Sequence, residues 1–102
     1  MQRLHYTGDS LLVPDAVCEA IMTFARALAG ERVSDVVRVP VMDEAGVVTH
    51  ASILIGPASQ LYTTPAPDAS EIEVAPGLVE EILHRAAVLA PARSSPNGDQ
   101  PG

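Results

Sequence analysis

The sequence contains no lysine and no tryptophan, and it has a single cysteine. That residue, Cys18, excludes an intramolecular disulfide and every metal motif that needs paired cysteines. The six basic residues, all arginine, stand against thirteen acidic residues, so the formal net charge is −7. Proteins bind nucleic acids and anionic membrane surfaces by neutralising phosphates with Lys and Arg, and this acidic balance therefore argues against both kinds of partner. Arginine in place of lysine, with abundant Ala and Val, indicates a GC-rich bacterial genome.

Long apolar runs are missing as well. No stretch approaches the roughly 20 apolar residues of a membrane helix, and the first residues, MQRLHYTGDS, lack the apolar segment of a secretory signal. We therefore expect a cytoplasmic protein. The 47% apolar content is typical of a folded chain, and the length predicts one domain, over residues 1–90. Residues 91–102, PARSSPNGDQPG, have little to bury and are predicted to be a disordered tail.

The first half of the chain predicts a hairpin and a helix. A two-residue Gly8-Asp9 link between apolar-rich segments predicts a hairpin over residues 3–13. Apolar residues then recur at helical spacing, which predicts an amphipathic helix over residues 14–29. Gly30 follows the last periodic residue and is expected to end the helix in the left-handed conformation.

A second hairpin is predicted from two β-rich runs, residues 35–42 and 47–55. Between them, Asp43 suits the first position of a type I turn, and Gly46 suits the left-handed position of the bulge that follows it. Slippage by one residue would move the apolar side chains to opposite faces, so this turn sets the register. The facing pairs are then Val41 with Thr49, Val39 with Ala51 and Val37 with Ile53.

The remaining elements complete an α+β domain. Pro40 lacks an N–H, which predicts that strand 35–42 is an edge of the sheet and that 47–55 is interior. EIEV, residues 71–74, alternates like a short fourth strand, and residues 76–90 have the apolar stripe of a second helix. We therefore predict a small, mostly antiparallel sheet of three to four strands with two helices packed on one face.

The face that the helices leave open is the first candidate for function. An apolar patch on a small soluble domain is typical of an interface, and two-fold dimers dominate soluble assemblies. We therefore predict a non-catalytic protein-interaction or regulatory module that forms a homodimer, by sheet face or sheet edge, or binds another protein. The interface residues predicted on this face are Val36, Met42, Val48 and Leu54.

The second candidate is the segment 56–64, which follows an aliphatic strand. A strand that ends in Gly with small residues behind it is similar in outline to loops whose backbone N–H groups bind anions. Pro57 removes one such donor, however, and no glycine-rich phosphate motif is present. Binding of a small polar ligand or anion by Gly56, Ser59 and Gln60 is therefore the alternative function.

No catalytic residue, metal site or cofactor is predicted. Cys18 flanks the apolar stripe of the first helix, which is typical of a buried, unreactive thiol. The histidines, at positions 5, 50 and 84, match no metal-ligand spacing with Cys18. Ser59 lacks the Gly-x-Ser-x-Gly turn that exposes a hydrolase nucleophile. An enzyme is therefore the third hypothesis.

Overall fold

The computed structural model of the chain describes residues 1–89. They form an α+β fold of one sheet and two helices, which confirms the predicted class, and the sheet has five strands where three to four were predicted. The predicted tail, residues 91–102, lies outside the described residues. In chain order the elements are β1 (Gln2–Tyr6), β2 (Asp9–Val13), α1 (Asp15–Glu31), β3 (Asp35–Met42), β4 (Val48–Ile55), β5 (Leu61–Pro65) and α2 (Leu78–Leu89).

All neighbouring strands are antiparallel, and their order is β4-β3-β2-β1-β5. The first strand of the chain therefore lies inside the sheet, between β2 and β5. The sequence left open whether residues 71–74 form a strand; that segment has no regular secondary structure, and Leu61–Pro65 is a strand that was not predicted. Ile72 and Val74 are half-buried beside exposed glutamates, so their alternation reflects inward packing without strand pairing.

The β1–β2 hairpin turns on Thr7 and Gly8, whose φ angles are 50° and 80°. Positive φ at both central residues is the geometry of a type I′ turn, which matches the twist of the flanking strands. Tyr6 and Asp9 pair across this turn. The turn was predicted at Gly8-Asp9, and the observed turn lies one residue earlier. The sequence did not indicate this position because β-branched residues such as Thr7 rarely adopt a positive φ.

The β3–β4 hairpin has the predicted turn and the predicted register. Gly46 has a φ of 84°, and its N–H donates to the Asp43 carbonyl at 3.0 Å. The Asp43 carboxylate accepts the N–H groups of Ala45 and Val47, each at 2.9 Å, and so caps the turn. The observed pairs include Val41 with Thr49, Val39 with Ala51 and Val37 with Ile53.

Helix α1 ends later than its glycine predicted. Gly30 lies inside the helix, and Arg32, with a φ of 58°, takes the left-handed position that closes it. The N–H groups of Arg32 and Val33 donate to carbonyls of the last turn at 3.2 Å each. These two bonds satisfy carbonyl groups at the C-terminal end of the helix. That capping role was predicted for Gly30.

Strand β3 is not an edge, so the prediction based on Pro40 is wrong. β3 lies between β4 and β2, and β4 is the edge strand. The Asp43 N–H donates to the Val47 carbonyl at 3.0 Å, and ladder bonds alternate from that pair, so Pro40 faces His50 in a non-hydrogen-bonded pair. The missing N–H would point toward β2, whose register with β3 consists of Leu12 with Met42. Pro40 therefore costs no bond to β4.

The core lies between α1 and the inward face of the sheet. On β3 and β4 this face carries the odd-numbered residues, as the register requires. Helix α2 packs against α1, and its Ile82 and Ala86 join the same buried cluster. Leu83 of the same helix is 41% exposed. The most buried large side chains of the cluster are Phe24, Leu4, Ile21, Leu28 and Ile55.

Candidate functional site

A cleft of about 810 Å³ opens between the β1–β2 turn and the end of β4. It is lined by residues 5–10, Ser34, Leu54, the loop 56–60 and Tyr62. The sheet order produces this cleft, because pairing of β5 with β1 brings the β4–β5 loop beside the first hairpin of the chain.

Gly56, Ser59 and Gln60, the residues predicted to bind a ligand, all line this cleft. Two of them are bonded to each other. The Gly56 N–H donates to Ser59 Oγ, and the Ser59 N–H donates to the Gly56 carbonyl, each at 3.0 Å. Both N–H groups are therefore used within a turn, and Pro57 has none. The loop consequently does not offer the array of free backbone donors that holds an anion.

An aromatic pair forms part of the cleft wall. His5 of β1 and Tyr62 of β5 are cross-strand partners, and their rings stack with centroids 4.1 Å apart and planes 3° apart. His5 Nε2 is hydrogen-bonded to Thr64 Oγ1 at 2.9 Å, which fixes the imidazole. Tyr62 nevertheless remains 60% exposed. The pair is thus a held aromatic surface that is open to solvent.

The rim of the cleft is fixed by a hydrogen bond between strands that are not neighbours. Tyr6 Oη donates to the Leu54 carbonyl at 2.5 Å and so connects β1 to the end of β4. This bond occupies the last outward carbonyl of β4 and leaves the earlier part of that strand, residues 48–53, without such a contact in the described structure.

The cleft is acidic. Asp9 is the one carboxylate among its described lining residues, and its Oδ1 accepts the Ser10 N–H at 2.8 Å. No arginine is among those lining residues, and the sequence has no lysine. Arg3 reaches Ser10 Oγ at 3.3 Å, but it also pairs with Glu44 at 2.9 Å. The lining therefore has no cationic side chain of fixed charge.

The four residues predicted at an interface lie on the sheet face opposite the core, as the observed register requires. Val36, Val48 and Leu54 are 48%, 52% and 57% exposed, whereas Met42, which pairs with Leu12, is half-buried. Three of the four line cavities. Leu54 lines the cleft, and Val36 and Val48 line a second cavity of about 490 Å³ that extends to α2.

Arg85 of α2 connects that helix to β3 and α1. Its Nη2 lies 2.6 Å from Asp35 Oδ2 and donates to the Val36 carbonyl at 2.9 Å. Its guanidinium carbon lies 4.6 Å from the centroid of the Phe24 ring. The hydrogen bond from Arg85, and then the Val36 N–H, hold the pKa of Asp35 below its ordinary value. The contacts of Arg85 are thus structural.

The thiol of Cys18 and the placement of potential metal ligands bear on the chemistry of residues 1–89. Burial, followed by the carboxylates of Asp15 and Glu19, raises the pKa of the Cys18 thiol to about 11. A protonated, buried thiol is a poor nucleophile. Within residues 1–89 no group of three or more His, Cys, Asp or Glu side chains is placed to hold a metal ion.

The sequence predicts one wall of the cleft, the loop 56–60, and not the wall formed by residues 5–10 and Tyr62. Residues 5–10 and Tyr62 reach the cleft because β5 pairs with β1, and that pairing depends on the sheet order. A signal was present in Leu61–Pro65, since Tyr and two Thr residues favour strands. Residues 61–64 instead lie within the segment predicted as a loop, 56–64.

No helix among residues 1–89 combines the length and the apolar character needed to cross a membrane. Comparison of the chain with protein-family models, with curated proteins and with solved structures gave no match.

Proposed function

We propose that the chain is a non-catalytic interaction module that forms a homodimer through strand β4. β4 is an edge of the sheet, it is eight residues long, and its sequence, VTHASILI, contains no proline and no charged residue. Natural edge strands are usually protected by charge, by proline or by short length. The opposite edge, β5, has five residues and ends in Pro65. The unprotected β4 edge is the observation that carries the proposal.

The ladder with β3 determines which backbone groups β4 offers. Hydrogen-bonded and non-hydrogen-bonded pairs alternate along an antiparallel ladder. Counted from the bond between Asp43 and Val47, the residues that direct their N–H and C=O groups away from β3 are Val48, His50, Ser52 and Leu54. The carbonyl of Leu54 already accepts the bond from Tyr6. A second β4, antiparallel about a two-fold axis, satisfies the other groups and joins the two sheets.

The distribution of charge also favours β4 as the dimer interface. Each copy has a formal net charge of −7, so two copies repel each other over most of their surfaces. Residues 48–55 bring no carboxylate to the contact. The exposed side chains of Val48 and Leu54 lie on one face of β4, where pairing of the edges would bring them near their counterparts.

The test is sedimentation equilibrium of the full chain at tens of micromolar. One variant, Ser52→Pro, removes an outward N–H without removing a bond to β3. A second variant combines Val48→Glu with Leu54→Glu and brings carboxylates together across the axis. The control combines Leu83→Glu with Val88→Glu, which makes the same change on exposed apolar residues of α2.

We expect the wild type and the α2 control to be dimers and both β4 variants to be monomers. The helical circular dichroism signal should be equal in all four proteins, which separates loss of association from loss of folding. A wild-type monomer, or a dimer that the α2 control abolishes while the β4 variants keep it, would rule out the β4 interface.

The second candidate function is binding of a small polar ligand in the cleft. It is favoured by one observation: Gly56, Ser59 and Gln60 line a cavity of about 810 Å³, a volume in the range of small-molecule sites. Chemical-shift changes at residues 56–60 on titration with small ligands would test it, and this function is independent of the oligomeric state.

A further inference from the structure

We infer that the cleft takes small organic cations, that is, protonated amines that carry an apolar or aromatic group. The inference rests on the second candidate function, ligand binding in the cleft, and it assigns the chemical class of the ligand. It depends on the charge of the lining, on the aromatic surface of Tyr62 and on the way the loop 56–60 uses its backbone donors.

The charge of the lining favours a cation. Asp9 contributes a carboxylate to the wall, and the described lining residues include neither lysine nor arginine. The chain as a whole carries seven more acidic than basic residues, thirteen against six. A concave acidic wall in an acidic protein concentrates cations and repels anions.

The aromatic surface favours a ligand with a polarisable or cationic group. His5 covers one face of the Tyr62 ring, and no second ring lies against Tyr62 in the part of the chain that the structure describes. Cations and aromatic rings both bind to an exposed ring face of this kind. The bond from His5 to Thr64 holds the stack in place before any ligand arrives.

The loop 56–60 disfavours the anion that its sequence first suggested. The N–H groups of Gly56 and Ser59 are used within their own turn, and Pro57 has no N–H to offer. Ser59 Oγ accepts one of these bonds. Backbone donors are therefore scarce on this wall, so a ligand that brings its own donors, such as an ammonium group, fits it better.

The experiment titrates the full-length protein with three probes of similar size and different charge: 2-phenylethylamine, 2-phenylethanol and 3-phenylpropanoate. Amide chemical shifts of Thr7, Gly8, Ala58 and Gln60 report binding in the cleft. The variants are Asp9→Asn, Tyr62→Leu and Tyr62→Phe. Asp68→Asn removes the same charge from an exposed position that does not line the cleft and serves as the control.

The amine should bind about three- to fivefold more tightly than the alcohol, as expected for one solvent-exposed charge contact. Asp9→Asn should remove most of that difference, and Asp68→Asn should retain it. Tyr62→Leu should weaken the amine by about threefold, and Tyr62→Phe, which keeps the ring, should bind as the wild type does.

The experiment can disprove the cationic nature of the ligand without disproving ligand binding in the cleft. If the alcohol or the carboxylate binds as well as the amine, or if Asp9→Asn leaves the preference unchanged, the cation assignment is wrong and ligand binding stands. If none of the three probes shifts the cleft amides, the cation assignment and the second candidate function both fall. Loss of folding in Tyr62→Leu would be evident from its amide spectrum, and the Asp9 comparison would then decide the assignment.

Discussion

Gly56 packs directly against Ser34. A Cβ added at Gly56 would overlap Ser34 Oγ and would lie 3.2 Å from Ser34 Cβ. Gly56 follows the last residue of β4, and Ser34 precedes the first residue of β3, so this contact lies at the open end of the β3–β4 hairpin, opposite its turn. The glycine that ends the aliphatic strand therefore has a packing role that needs no ligand.

Gly56→Ala should lower the free energy of unfolding by about 1 kcal/mol, because the added methyl group overpacks this contact. Ser34→Gly removes both atoms that the methyl group would meet. Chemical denaturation of the two single variants and the double variant measures the coupling. We expect the cost of Gly56→Ala to shrink in the Ser34→Gly background, and purely additive effects would contradict the packing explanation.

Gly46→Val should destabilise the β3–β4 hairpin by roughly 1–3 kcal/mol, the usual cost of a strained backbone position. Gly46 has a φ of 84°, and a β-branched residue there is a steric outlier. Thermal unfolding measures the effect. Gly46→Asn is the matched control, because Asn tolerates the left-handed conformation, and its loss should be clearly smaller. An unchanged melting temperature in Gly46→Val would contradict the turn geometry.

The register of this hairpin could be predicted because local chemistry decides it. Asp43 and Gly46 specify the turn, and a slip by one residue would carry the apolar residues of both strands to the wrong face. The strand order could not be predicted in the same way. Nothing local to Leu61–Pro65 indicates that its partner is β1, roughly sixty residues earlier in the chain.

The same limit applies to the cleft. Gly56, Ser59 and Gln60 are close in sequence, so one pattern found all three. Tyr62 and Asp9 meet them only because β5 pairs with β1. The edge prediction based on Pro40 named the wrong strand. A missing N–H shows that no hydrogen bond is needed at that position, but it does not show whether that side of the strand has a neighbouring strand.

Asp35→Asn should change how the free energy of unfolding depends on pH in the acid range. The native pKa of Asp35 is held below its ordinary value by Arg85, so the carboxylate stabilises the fold above its unfolded pKa, about 3.9. This contribution disappears as the pH falls through the lower native pKa. Because the pair is partly exposed, we expect at most about 1 kcal/mol near neutral pH.

The measurement for Asp35 is the unfolding free energy of wild type and variant between acid and neutral pH. The difference should be constant near neutral pH and should vanish in acid. Asp68→Asn, with no such partner in the described structure, is the control and should leave the slope unchanged. A difference between wild type and Asp35→Asn that grew toward acid would contradict the sign.

Cys18 should be unreactive in the folded protein. Its pKa of about 11 keeps it protonated near neutral pH, and its side chain is buried. A disulfide reagent should therefore modify it at the rate of unfolding, and rapidly in denaturant. Because the native pKa is raised, the associated stability is complete below the unfolded pKa, about 8.5, and declines as the pH rises toward 11. Fast modification without denaturant would refute the buried, protonated state.

The sheet has a three-stranded part, β5–β1–β2, and the β3–β4 hairpin. Within residues 1–89 their backbones pair at Leu12 and Met42, and the bond from Tyr6 to the Leu54 carbonyl is a further link between them. We expect a joint this narrow to let the β3–β4 hairpin open while β5–β1–β2 stays closed. Amide protons of β3 and β4 should then exchange with solvent as one cooperative group, at a free energy that differs from that of β1 and β2. The β3–β4 pairing is more local in sequence than the β1–β5 pairing, so it should form early during refolding, before β5 pairs with β1.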